Sequence, residues 1–109
     1  MSHPVGRLDD IIHQRTRLGI LTVLSEVAAS DFTFLRDTLE LSDGNLSRHL
    51  TVLADAGYVK LTKGYQGRRP HTAVAATKAG RRALDAYLSD LQAVIDRART
   101  PEPTTEEVS

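Results

Sequence analysis

Cysteine is missing from the 109-residue sequence, and this absence excludes several classes of protein. Thiol catalysis, disulfide bonds, cysteine redox sensing and thiolate metal sites all need that side chain. Aromatic residues are also scarce, at 5% of the chain, while apolar residues make up 40%. This composition suits a small helical core of leucine, valine and isoleucine, and the length allows one such domain.

Long apolar runs are absent as well. No stretch approaches the roughly 18 apolar residues that a membrane-spanning helix needs. The first ten residues, MSHPVGRLDD, lack the apolar segment of a secretory signal peptide. We therefore expect a soluble protein of the cytoplasm that has no membrane partner.

The four histidines give no pattern that predicts an enzyme. They are scattered along the chain, with no spacing that would gather metal ligands or pair a nucleophile with a base: His3, His13, His49 and His71. We expect no catalytic residue, no metal site and no cofactor. Nothing in the sequence identifies a small-molecule effector.

Positive charge is concentrated in one part of a chain whose net charge is zero. Residues 56–84 contain seven basic residues and no acidic one: Lys60, Lys63, Arg68, Arg69, Lys78, Arg81 and Arg82. Phosphate neutralisation dominates the affinity of proteins for nucleic acid, so this stretch suits contact with a polyanion. The alternative interpretation is a solvated basic surface without a partner.

Residues 43–54 have the pattern of a capped amphipathic helix. Ser42 can serve as its N-cap and Asp43 lies in its first turn, where a carboxylate is favourable. Leucines at positions 46, 50 and 53 share one face, and Gly57 suits the left-handed residue that ends a helix. The other face carries side chains that hydrogen-bond well and fill a core poorly: Asn45, Ser47, Arg48 and Thr51.

A β-hairpin is predicted directly after this helix. Residues 58–62 alternate with period two, Gly64 and Gly67 permit a bend, and residues 72–74 can return as a second strand within a ribbon that ends at Ala76. Before the amphipathic helix we predict three shorter ones: residues 8–14, residues 17–27 capped by Thr16, and a third capped by Asp31 or Thr33 that ends at Leu39 with residues 34, 35 and 38 placed to pack. Phe32 could form a brief strand beside the hairpin. Residues 40–42 make a tight turn, so the pattern is that of a helix-turn-helix.

The last predicted helix, residues 78–99 with Thr77 as its cap, carries a long apolar stripe. Such a stripe usually pairs with a second helix, so we predict a homodimer; the alternative is a monomer in which the helix folds back on its own core. The predicted dimerisation residues are Leu84, Tyr87, Leu88, Leu91, Val94 and Ile95. We expect one domain over residues 7–99, a flexible N-terminus over 1–6 and a disordered acidic tail over 100–109.

The combined pattern resembles short winged helix transcriptional regulators of the MarR and ArsR type. The resemblance covers about residues 7–97 and is carried by five motifs: LRD (35–37), LSDGNLSRHL (41–50) with Leu53, AGYV (56–59), GRRP (67–70) and TKAGR (77–81). It implies a mainly α fold with a small β-hairpin, in which a three-helix core carries a wing and a C-terminal dimerisation helix. It also implies a homodimer that binds double-stranded DNA specifically and represses or activates transcription.

In that family the helix at residues 43–54 enters the major groove, and the wing at residues 63–69 reaches the minor groove or the backbone. Asn45 can pair with adenine and Arg48 with guanine, while Ser47 and Thr51 suit phosphates. The predicted DNA-binding residues are Asp43, Gly44, Asn45, Ser47, Arg48, Thr51, Lys63, Arg68 and Arg69. The competing function is a winged helix that binds another protein and does not contact DNA.

Overall fold

A computed structural model describes residues 3–100 of the chain. A 3₁₀ turn at Pro4–Arg7 precedes four helices and three strands, in the order α1 (Arg15–Ser25), β1 (Ser30–Asp31), α2 (Phe32–Thr38), α3 (Asp43–Asp55), β2 (Val59–Gln66), β3 (Arg69–Ala76) and α4 (Lys78–Arg99). The strands form an antiparallel sheet in the order β1-β3-β2. The predicted architecture, mainly helical with a small hairpin, is confirmed.

Leucines and isoleucines from α1, α2 and α3 form the core, and the base of the hairpin and α4 cover it. Leu46, Leu50 and Leu53 of α3 are almost completely buried, as their spacing predicts. Val59 and Val74 close the core from the hairpin, and the remaining buried apolar side chains are Ile12, Ile20, Leu21, Leu24, Leu35, Leu84 and Tyr87.

Local capping signals predict the starts of α3 and α4 correctly. The Ser42 hydroxyl accepts a hydrogen bond from the Asn45 backbone N–H at 3.1 Å, and the Thr77 hydroxyl accepts one from the Gly80 N–H at 2.9 Å. Gly57 follows α3 with φ of +82°, the left-handed conformation expected there. These local features define where the two helices on either side of the hairpin begin and where α3 ends.

The predicted helix at residues 8–14 is wrong. After the 3₁₀ turn at Pro4–Arg7 this segment forms turns, because the Asp9 carboxylate accepts hydrogen bonds from the backbone N–H groups of Ile11 and Ile12 at 2.8 and 3.2 Å. A side chain that competes in this way for backbone donors favours a turn over a helix. Ile12 is nevertheless completely buried, so its apolar character reflects the core and not a helix.

The helix α1 is shifted relative to its prediction. It begins at Arg15 with Gln14 as its N-cap, where residue 17 with a Thr16 cap was expected, and it ends at Ser25. The Gln14 side-chain oxygen accepts a hydrogen bond from the Arg17 N–H at 2.8 Å. A glutamine is an uncommon cap, so the serine and threonine preference pointed to the wrong residue.

The α2 segment also differs from its prediction. Phe32 is the first residue of α2 and not part of a strand, and the strand that pairs with β3 is Ser30–Asp31. Leu35 is the buried residue of α2, whereas Phe34 is 54% exposed and does not pack inward. Because α2 has seven residues, it presents one narrow face to the core.

The hairpin turns at Gly67 and Arg68, where Gly67 has φ of +63°. Gly64 lies within β2 and pairs with His71, so it does not make the bend. The two strands pair in unbroken register from Val59 with Ala76 to Gln66 with Arg69. The wing is therefore a two-stranded ribbon whose tip is displaced from the core.

The folded part of the chain begins earlier than residue 7. Pro4 is buried, and the Arg7 guanidinium donates to the Asp90 carboxylate of α4 at 3.1 Å. The predicted tail at residues 100–109 lies, apart from Thr100, outside the described residues. Over residues 3–100, no helix combines the length and apolar character needed to cross a membrane.

Candidate nucleic-acid interface

The outer face of α3 is polar and accessible. Ser47, Arg48 and Thr51 are exposed, and Asn45 is half-buried, while the leucines on the opposite face point into the core. Gly44 is exposed at the N-terminal end of this face, and a Cβ at that position would meet no atom within 4 Å. The amphipathic pattern of the sequence therefore predicted correctly which side of α3 is free for contact.

Side chains on this face already interact with each other. The Arg48 guanidinium donates from Nη2 to Oδ1 of Asn45 at 2.9 Å, across one turn of the helix. The Thr51 hydroxyl donates to the Ser47 backbone carbonyl at 3.0 Å. In this arrangement Thr51 cannot also donate to a phosphate, because its single hydroxyl hydrogen is already used.

The N-terminus of α3 carries an ion pair that was not predicted. Arg36 of α2 donates to the Asp43 carboxylate at 2.9 Å and to the Asp37 carboxylate at the same distance. These two hydrogen bonds raise the pKa of Arg36 above its ordinary value, and the one to Asp37 has the larger effect. Arg36 thus offsets the negative charge of Asp43 at the end of α3 that faces outward.

A groove of about 430 Å³ separates α3 from the wing. Its α3 wall is polar, with Asp43, Ser47 and Thr51, while Lys63 on β2 contributes a positive charge to the opposite wall. Its floor and remaining walls are formed by Phe32, Leu50, Leu61 and Thr72. The polar face of α3 and the cationic strand of the wing therefore border one concave surface.

The tip of the wing is exposed and basic. Arg68 lies in the turn and Arg69 begins β3, so the hairpin holds both guanidinium groups away from the core. Tyr65 is 75% exposed on β2, an aromatic side chain that sequence reasoning did not assign to the site. Tyr65 lies beyond residues 58–62, where the sequence predicts alternation, and alternation alone does not show whether the outward face of a wing contacts a partner.

The base of the wing is attached to the start of α2. His71 of β3 donates from Nε2 to the Asp31 carboxylate at 2.6 Å, and Asp31 is the N-cap residue of α2. His71, Asp31 and Arg69 line a second concavity, which lies next to the groove between α3 and the wing. The contact positions the wing relative to the helix-turn-helix.

His49 lies beneath the polar face of α3 and not on it. It is 8% exposed, and Nη1 of Arg17 is 3.2 Å from its Nδ1. Burial lowers the pKa of His49, and the positive charges of Arg17 and Arg48 lower it further. Since an arginine can only donate, Nδ1 of a neutral His49 accepts this hydrogen bond. Within residues 3–100, no group of three or more acidic or histidine side chains is placed to hold a metal ion.

The predicted dimerisation residues on α4 fall into two groups. Leu84 and Tyr87 are buried in the core of the same chain, and the Tyr87 hydroxyl is 2.8 Å from Nδ1 of His13. Leu88 is 47% exposed. The other three are partly exposed: Leu91, Val94 and Ile95. The exposed apolar surface of α4 is therefore narrower than the stripe in the sequence.

Residues 16–95, most of the chain, match the family model described as winged helix DNA-binding domain. The chain belongs to this family. An uncharacterized protein of Methanocaldococcus jannaschii is 32% identical to this winged helix chain over 81 residues, which cover 74% of the chain and 88% of that protein.

Solved structures have the same winged helix fold. A transcriptional regulator homologue from Pyrococcus horikoshii OT3 is 36% identical and superposes with a TM-score of 0.76, covering 81% of this chain and 87% of that one. A MarR-family transcriptional regulator from Rhodococcus sp. RHA1 has a TM-score of 0.66 at 19% identity, covering 94% of this chain and 75% of that one. The chain thus shares the winged helix fold of these transcriptional regulators.

A transcriptional regulator of M. tuberculosis whose structure was solved in complex with DNA shares this fold at lower identity. Its TM-score is 0.65 and its identity 22%, with 84% of this chain and 65% of that chain covered. At this identity the similarity establishes the common fold alone.

Proposed function

We propose that this protein is a homodimeric transcriptional regulator, acting as a repressor, that binds specific sequences in double-stranded DNA. In this proposal α3 enters the major groove and the wing, residues 63–69, contacts the adjacent minor groove or the backbone. The observation that carries the proposal is the shared groove, bordered by Ser47 and Thr51 on α3 and by Lys63 on the wing. Two elements that open onto one concave surface can engage neighbouring parts of one duplex.

Charge supports this orientation. The wing contributes three exposed basic side chains, Lys63, Arg68 and Arg69, and strands β2 and β3 contain no acidic residue. The negative charge of Asp43 at the tip of α3 is offset by Arg36 at 2.9 Å. The N-terminal end of a helix also favours anions, so the start of α3 near Gly44 suits close approach to a phosphate.

Individual side chains suit different parts of the duplex. Arg48 is exposed at the middle of α3, where a guanidinium group can read guanine in the major groove. Ser47 suits a phosphate, which fixes the register of the protein without reading sequence. Arg68 and Arg69 suit a narrow minor groove or the phosphates that flank it.

The homodimer is proposed to form through α4. Its 22 residues exceed what is needed to cover the core, and the apolar side chains beyond Tyr87 remain wholly or partly exposed. A two-fold dimer places its two α3 helices in successive major grooves, about 34 Å apart. The expected operator is therefore a near-palindrome whose half-sites are one helical turn apart.

Salt dependence tests DNA binding directly. Fluorescence anisotropy with a labelled random duplex should show affinity that falls steeply as salt rises, because bound phosphates release counterions. Replacing Arg68 and Arg69 together by alanine should weaken binding to every sequence and reduce the slope by up to about two. A matched double variant, Arg97→Ala with Arg82→Ala on α4, removes the same charge outside the groove and should retain the parental slope.

The absence of any binding at very low salt would contradict the proposed function. If the protein binds, transcription in vitro from a promoter that contains the selected operator tests the sign of regulation. A repressor should reduce the transcript as protein is added, whereas an increase would contradict the repressor assignment.

A further inference from the structure

The C-terminal half of α4 has an apolar face that the rest of the described chain leaves partly uncovered. Leu88 is 47% exposed, Leu91 and Ile95 are partly exposed, and Ala98 is exposed. These four residues follow one another at spacings of three, four and three positions, so they lie on one side of the helix. Such alternating spacings form the seam between two packed helices.

Two exposed charges of opposite sign flank this seam on the same side. Asp85 lies three residues before Leu88, and Arg99 lies four residues after Ile95. They are 14 positions apart, about 21 Å along the helix, with the uncharged Gln92 midway between them. Neither Asp85 nor Arg99 takes part in an ion pair within residues 3–100. This row is therefore complementary to a reversed copy of itself.

Reversing one helix relative to the other brings these charges together. If two α4 helices run antiparallel with Leu91 against the partner's Ile95, then Asp85 lies opposite the partner's Arg99, and Gln92 lies beside the partner's Gln92. The two-fold axis repeats the contact, so the dimer has two such ion pairs. In a parallel, in-register pair, residues of the same number lie at the same height, and the two charges stay about 21 Å apart along the axis.

A shift by one heptad gives the other antiparallel register, and two features of the N-terminal half of α4 disfavour it. In that register Leu88 packs on the partner's Leu91, and Arg99 comes beside the partner's Lys78, which is a like charge. The shift also brings Arg81 into the seam, although its guanidinium group already donates to three backbone carbonyls at the end of α1. The first register overlaps the helices over about residues 86–100 and avoids both conflicts.

We propose that two copies of this chain pair through antiparallel α4 helices, with Leu91 packed on the partner's Ile95 and Asp85 in an ion pair with the partner's Arg99. This inference rests on the homodimer of the proposed function and adds its direction, its register and the residues that set them. Exposed ion pairs contribute little affinity, so the apolar seam holds the two copies together while the charges select the direction.

Charge reversal in the full chain tests the pairing. In Asp85→Arg and in Arg99→Asp, each reversed side chain meets a like charge on the partner, so each variant should dimerise about tenfold more weakly than the parent in analytical ultracentrifugation at low salt. The double variant restores opposite charges and should recover the parental dissociation constant. An equimolar mixture of the two single variants should form heterodimers for the same reason. Arg97→Asp, a matched reversal on the opposite side of α4, should dimerise like the parent.

Engineered cysteines test the direction independently, because the chain contains none of its own. Gln92 lies beside its counterpart only in the antiparallel pair, so Gln92→Cys should be linked into dimers by a short bismaleimide. Ser89→Cys is the matched control, since residue 89 is exposed on the side of α4 away from the seam and should be linked poorly. Equal linking of the two variants would contradict the antiparallel arrangement.

Two further results would overturn the inference while the homodimer holds. One is a parental dissociation constant that neither single reversal changes. The other is a double variant that folds normally by circular dichroism and dimerises no better than the single variants. A parent that stays monomeric at every concentration would instead contradict the proposed homodimer, and the inference with it. Binding to duplex DNA at low salt is measured separately, so it is not decided by any of these results.

Discussion

The backbone carbonyl of Tyr58 occupies the space where a side chain at Gly80 would begin. A Cβ built on Gly80 would overlap the Tyr58 carbonyl oxygen and lie 2.9 Å from the carbonyl carbon. The same oxygen accepts a hydrogen bond from the Thr77 N–H at 3.0 Å. This contact brings the first turn of α4 against the start of the hairpin, so the absence of a side chain at residue 80 sets how closely these elements pack.

Gly80→Ala should therefore destabilise the protein. Overpacking against backbone atoms that cannot move away typically costs about 1–3 kcal/mol, which outweighs the gain of about 1 kcal/mol from placing alanine in a helix. Urea unfolding measures the difference. Gly44→Ala is the matched control, because a Cβ there meets no atom within 4 Å and stability should be unchanged or slightly higher. Equal stability of Gly80→Ala and the parent would refute the close contact.

Arg81 should contribute to stability as a cap of α1. Its guanidinium group donates to the backbone carbonyls of Leu24 and Ser25 at 3.3 Å and of Val27 at 3.0 Å, at the end of a helix where a cation is favourable. We expect Arg81→Met to lower the free energy of unfolding by about 1–2 kcal/mol. Arg82→Met, at the exposed neighbouring residue, should change it little. Equal effects of the two substitutions would argue against the cap.

The Tyr58 hydroxyl should make stability depend on pH in the alkaline range. It donates to Oδ2 of Asp9 at 2.5 Å, and this hydrogen bond, together with burial, raises the pKa of Tyr58 from 10.0 to about 12. The folded state therefore holds the proton more tightly than the unfolded state. This stabilisation is fully present below about pH 10 and is lost as the pH rises from 10 to 12.

Tyr58→Phe should thus be less stable than the parent at pH 8, and the gap should narrow by pH 11. Urea unfolding at both pH values provides the measurement. In an Asp9→Asn background, which keeps Oδ1 as an acceptor for the backbone, the pH dependence of the gap should shrink. A gap that is constant with pH would show that the hydroxyl proton is not linked to folding.

Leu88 offers the cleanest test of the proposed dimer. It is 47% exposed, so Leu88→Asp should produce monomers in light scattering while circular dichroism stays unchanged. Ala86→Asp introduces the same charge on the exposed surface of α4, roughly 200° around the helix axis, and should remain dimeric. Leu91 is less suitable because it also packs against the core. A dimeric Leu88→Asp would place the interface elsewhere.

The elements that the sequence predicted correctly depend on local signals. Ser42 and Thr77 cap their helices through hydrogen bonds three residues along the chain, and Gly57 ends α3 with a positive φ. The leucines of α3 also follow a strict helical period. Such features are determined by neighbours in sequence, so α3 and the hairpin could be placed from the sequence alone.

Contacts between distant residues could not be predicted in this way. Tyr58 and Asp9 are 49 positions apart, and no periodicity links them. Arg36 was visible as a basic residue, but only the packing of α2 beside α3 brings it to Asp43. The helix predicted at residues 8–14 failed for a related reason: Leu8, Ile11 and Ile12 have helical spacing because they pack on the core, Ile12 fully and the other two partly, in a segment that forms turns.

In the proposed complex, the polar face of α3 and the tip of the wing contact one duplex together. An NMR titration of the full ¹⁵N-labelled chain with its selected duplex tests this most directly, since the backbone signals of both elements are followed at once. We predict that signals of residues 43–51 and 63–69 shift or broaden together at the same DNA concentrations, while those of the C-terminal half of α4 change little. Changes confined to α4, or to only one of the two elements, would show that α3 and the wing do not bind the duplex together.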